Sequence, residues 1–129
     1  MYTINTKEVK EEPLTKGDAQ RVTVKYLIDE SHGSEKFYLR EYSVAPGGHT
    51  RLDKHVYEHQ VYILRGGGMM REGSEPNVRM RRVEPGDAIF IPSNQVHQFL
   101  NTTDEPLVFL CLKGAENLYV TQSSEMGGK

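Results

Sequence analysis

Cysteine and tryptophan are scarce in this chain: its 129 residues hold one cysteine, Cys111, and no tryptophan. A single cysteine closes no internal disulfide, so packing and hydrogen bonds must hold the fold. Set in the apolar run Leu107 to Leu112, the thiol reads as a small buried hydrophobe, because a nucleophilic cysteine needs an activating partner. No apolar stretch approaches the ~20 residues that span a bilayer, and Met1 to Lys7 lacks the basic start and apolar run of a secretory signal. These absences lead to the expectation of a soluble cytoplasmic protein without a membrane partner. An excess of one charge is missing as well. Sixteen basic and 18 acidic residues leave a net charge of −2 with no basic stripe, which excludes a nucleic-acid partner.

Helical periodicity is the last absence: apolar residues do not recur at 3.6-residue spacing over three turns. What is present is short alternating runs bounded by Gly, Pro, Asn and Asp, the pattern of an all-β chain. Strands are expected over Arg21 to Asp29, Lys36 to Val44, Thr50 to His55, Gln60 to Arg65, Met69 to Arg71, Val78 to Val83, Ala88 to Ile91, Gln95 to Asn101 and Leu107 to Leu112. That many short strands in a chain this size predicts a barrel or a two-sheet sandwich in one domain over residues 21–121. Residues 1–20 are expected to form an N-terminal arm or edge strand, and residues 122–129 a frayed tail.

Chemistry concentrates in the histidines. His32 sits in the turn composition Glu30 to Ser34 and reads as solvated. On an extended segment Asp53 and His55 face one side about 6.6 Å apart, and an antiparallel return brings His59 to the same point. His49 shares their parity but lies about 13 Å from Asp53 along the strand, too far for the same ion, and is assigned a structural role. His97 follows a Pro92 to Asn94 turn and enters an apolar strand, as either a hydrogen-bonded barrel residue or a closing ligand. Imidazoles with a carboxylate suit one divalent transition metal, Mn, Fe, Ni, Cu or Zn.

The spacing resembles the cupin superfamily. Gly47, five residues, Asp53-Lys54-His55, three residues, His59, six residues and Gly66 follow the first cupin motif. Gly86, five residues, Pro92-Ser93-Asn94, two residues, His97, three residues and Asn101 follow the second, with Asn94 in place of glycine. Asn tolerates the left-handed conformation such a glycine supplies, so that exchange is mild. The resemblance implies a cupin-type double-stranded β-helix, or jelly-roll, barrel, usually a homodimer, with a metal inside one end. Asp53 stands where the motif's first histidine belongs, and His59 where many cupins carry Glu. Two arrangements follow: Asp53 binds the metal directly with His55, His59 and His97, or the three histidines bind it alone and Asp53 acts beside them or through water. The shorter reach of a carboxylate favours the second.

A metal with open positions implies a dioxygenase-like oxidoreductase acting on a small chelating substrate, because cupins with such sites often are dioxygenases. The alternatives are a non-catalytic module that binds or senses a small ligand, and a metal-dependent isomerase. The last requires a pocket Lys or Glu for proton transfer, which the motifs do not supply. Candidate substrate contacts are Arg40, Tyr38, Gln60, Phe99 and Phe109, with Arg51 and Tyr57 nearby in the pattern. A buried Arg40 would indicate an anionic ligand.

Overall fold

The computed structural model describes residues 1–119, so the tail expected at 122–129 lies outside the described residues. The strands are β1 (Glu12–Pro13), β2 (Gln20–Ile28), β3 (Phe37–His49), β4 (His59–Arg65), β5 (Gly68–Glu72), β6 (Arg79–Val83), β7 (Ala88–Ile91), β8 (His97–Leu100) and β9 (Leu107–Gly114). All pairings are antiparallel, and the sheet runs β6-β5-β8-β3-β9-β4-β7 with β2 and then β1 added at β3. Among the described residues no helix is long and apolar enough to cross a membrane.

Register explains where the inside lies. β9 pairs β3 on one side and β4 on the other, which aligns inward residues in rows: Tyr38, Lys113 and His59; Arg40, Cys111 and Val61; Tyr42, Phe109 and Ile63. A further row, Val22, Val44 and Leu107, closes the apolar end. Ile63, Val44 and Leu107 are fully buried, and each such aliphatic side chain contributes about 1.5–3 kcal/mol by leaving water. Replacing Ile63 by Ala therefore costs about 2–5 kcal/mol. Polarity rises from this packed end toward the row holding Lys113 and His59.

The main departure from expectation lies between β3 and β4. The strand expected over Thr50 to His55 does not form. Instead β3 continues through Pro46 to His49, accommodated by a register shift where β2 passes from Gln20 to Val22, a position at which a proline costs no ladder bond. The chain then runs beside β8 with only intermittent bonds: Thr50 N to Phe99 O at 2.8 Å, Asp53 and His97 exchanging bonds at 3.1 and 2.9 Å, and Asn94 N to His55 O at 2.6 Å. Asn94 adopts φ 62°, the left-handed conformation inferred for it.

Candidate metal centre

His55, His59 and His97 converge from three places: the irregular segment, the first residue of β4 and the first residue of β8. One ring nitrogen from each lies within 4.8 Å of the others. The His55 and His59 rings stack at 4.8 Å between centroids with Tyr57 beside them, 4.4 Å from His55, while His97 meets both edge-on.

The hydrogen bonds fit these rings to a cation. His97 Nδ1 donates to Gln95 O at 2.8 Å, which sets the tautomer and leaves Nε2 with its lone pair. His59 Nδ1 lies 3.3 Å from Cys111 Sγ, and its buried Nε2 has no partner among the described residues. An unpaired buried acceptor costs about 1–3 kcal/mol, an expense a bound cation removes. Burial pushes His59 down to about 2, reinforced by His55 and His97, and pushes His55 down to about 4 against the opposing pull of Asp53. His97 is also lowered, by burial, with its bond to Gln95 opposing. Neutral imidazoles are the form that ligates metal, so the donor set fits a divalent transition ion.

Asp53 lies outside the three-histidine group, with Oδ2 3.4 Å from His55 Nε2 and 3.4 Å from Arg51 Nε. Its other oxygen accepts from Lys54 N at 2.9 Å. His49 Nδ1 lies 3.1 Å from Thr50 O and 3.2 Å from Gln98 Nε2, while His32 accepts from Asp29 N in an exposed turn. Glu58 points to solvent, as the alternation from His59 requires.

The histidines open into a cavity of about 360 Å³. Arg40, Phe99 and Phe109 line it, as do Arg51 and Tyr57. Tyr38 and Gln60 are not among the residues that line it. Gln60 follows inward His59 and so faces outward, where it borders an external apolar groove with Tyr62 and Phe90. Tyr38 has inward parity but stands beyond the cavity, its ring 5.8 Å from Lys113 Nζ. Lys113 and Glu116 line the cavity and were missed. Extending the alternation Phe109, Cys111 by two residues would have found Lys113.

Residues 40–113, more than half of the chain, match the family model for the cupin domain. The chain belongs to the cupin family. The barrel implied by its two motifs is the observed fold. This cupin is 41% identical over 78 residues to the 1-methylthio-D-xylulose 5-phosphate methylsulfurylase of Rhodospirillum rubrum, covering 60% of the chain and 47% of that protein. It is 33% identical over 84 residues to a glucose-6-phosphate isomerase of Pyrococcus abyssi, covering 65% of the chain and 41% of that protein. This cupin thus spans less than half the length of these curated relatives. Among solved structures it resembles the polyketide cyclase RemF of Streptomyces resistomycificus, with a TM-score of 0.81 and 32% identity over 88% of this chain and 79% of that one.

Proposed function

We propose that this cupin is a metal-dependent enzyme that moves a proton beside the carbonyl of a small molecule, in the isomerase or cyclase class. The observation that carries this reading is that the three histidines share their cavity with Asp53, a proton-handling side chain of the kind such chemistry requires. The sequence kept the isomerase as an alternative weakened by the want of a pocket Lys or Glu, and Lys113 and Glu116 both line the cavity. The names of two relatives, an isomerase and a cyclase, point in the same direction.

In this reading His55, His59 and His97 hold the ion, which when bound supplies Lewis-acid polarisation of a carbonyl oxygen. The Asp53 carboxylate, held by Arg51, takes a proton from the carbon next to that carbonyl and returns it to a neighbouring atom. Tyr57 and Phe99 flank the reacting end and exclude water.

The test is proton exchange. Metal-loaded protein is incubated in D2O with a panel of hydroxyketones and aldoses, free and phosphorylated, and loss of the C–H signal next to the carbonyl is followed by proton NMR. Exchange that disappears in Asp53→Asn with the metal retained supports the reading. No exchange across the panel, with oxygen consumed instead, would replace it by the oxygenase. That second reading draws on the same three-histidine group, which leaves positions open for dioxygen and a chelating substrate.

A further inference from the structure

Five of the charged side chains lining the cavity are basic and two, Asp53 and Glu116, are acidic, although the whole chain carries a net charge of −2. Asp53 pairs with Arg51. Among the described residues neither Arg40 nor Lys113 forms an ion pair with a carboxylate. The Arg40 guanidinium also leaves its buried Nε without a hydrogen-bond partner.

What these two cations do have is aromatic faces. The guanidinium of Arg40 lies 5.2 Å from the Tyr42 ring centre, and Lys113 Nζ lies 4.3 Å from that of Tyr57. Such faces orient a cation without neutralising it. Register sets them together: Lys113 lies directly across from His59, and Arg40 sits one row deeper, across from Cys111. A partly buried charge without a carboxylate partner forgoes solvation it does not regain, so two of them converging on one cavity mark a place where an anion completes the pairing.

We propose that Arg40 and Lys113 form an oxyanion-binding site, taking a carboxylate or phosphate carried by the same small molecule that presents its carbonyl to the three histidines. The second half of that statement rests on the function proposed above; the anion site itself stands on its own residues. Arg40 offers the planar pair of donors that matches two oxygens of one anionic group, and Lys113 adds a point charge from the adjacent strand. Every other basic residue lining the cavity is exposed, so these two decide which end of a ligand goes deep.

The test titrates inorganic phosphate and, separately, malonate into the full chain, metal-free and again with one equivalent of zinc. Heat of binding and thermal midpoint are both read. Wild type is expected to bind one anion saturably and to gain several degrees in midpoint. Arg40→Gln and Lys113→Gln should each weaken binding at least tenfold, whereas Arg79→Gln, on exposed β6, should not. Without added anion Arg40→Gln should melt no lower than wild type, since it removes an unpaired charge; a scaffold arginine would lower the midpoint. Stronger binding of phosphate assigns the site to a phosphate group, and stronger binding of malonate to a carboxylate. Absence of saturable binding in wild type, or full binding in Arg40→Gln, overturns the proposal. The Arg40 Nε–H resonance of wild type should also move on titration, which keeps the test open if a variant fails to fold. Zinc binding by the same samples is scored separately. Anion binding without zinc binding would remove the metal-dependent reading alone, and zinc binding without anion binding would remove this one alone.

Discussion

His59 shows how one side chain can be committed at one end and unsatisfied at the other: Nδ1 faces Cys111 Sγ at 3.3 Å, while Nε2 is buried without a partner. Elemental analysis of protein purified without chelator should find a divalent transition metal in wild type and in Asp53→Ala, and none in His97→Ala. Metal loss in Asp53→Ala would instead make the carboxylate an essential ligand. Cys111, 2% exposed, has its thiol pushed up by burial. Ellman's reagent should leave it unreacted in the folded protein and titrate one thiol in guanidinium. Both roles were partly legible in the sequence. The apolar run marked Cys111 as inert, and the motif spacing located the three histidines. The Cys111–His59 contact was not legible, because the register between β4 and β9 is set by packing that no local pattern encodes.

At the scale of elements, the side chain of Asn101 does the work of a loop. It donates to Val44 O at 2.8 Å and to Glu105 O at 2.7 Å, and accepts from Thr103 N and Oγ1 at 2.9 and 2.8 Å. Asn101→Ala removes all four of these hydrogen bonds from a buried side chain and should lower unfolding free energy by about 2–4 kcal/mol in urea titrations. The motif's final Asn is thus a fold requirement here rather than a site residue. At Asn94 the positive φ makes Asn94→Gly neutral and Asn94→Val destabilising by about 1–2 kcal/mol, again by urea midpoint. Because Asn94 N holds His55 O, the valine variant should also bind metal more weakly. Alternation located most of the nine strands to within a few residues. It failed at Thr50 to His55, where alternating side chains meet a neighbouring strand too short to continue the ladder. Gln60 was chosen as a candidate contact although its parity opposes that of His59.

For the whole molecule, the lowered histidines couple stability to pH. Folded His55 and His59 resist protonation down to about 4 and about 2, whereas the unfolded chain takes up protons as pH falls below the ordinary value of 6.5. The unfolded state therefore binds more protons throughout that window. Stability of the metal-free protein should be level above pH 7 and decline steadily as pH falls from about 6.5 toward 4, as read by urea midpoints. Replacing both residues, in His55→Gln with His59→Gln, should flatten this slope; an unchanged slope would assign acid sensitivity to other groups.

The intermittent bonding of residues 50–58 has a consequence for how the barrel breathes. The backbone amides of Arg51 and Tyr57, between the pinned positions, make no hydrogen bond among the described residues, while β3 from Phe37 to Val44 and β4 from His59 to Ile63 have a cross-strand partner at every residue. This stretch is a seam in the wall, and the side chains that would close it, His55 and His59, sit within and just beyond it. Deuterium uptake in the metal-free protein should therefore be fastest across this seam, and loading with zinc should slow it there first, leaving the apolar end unchanged.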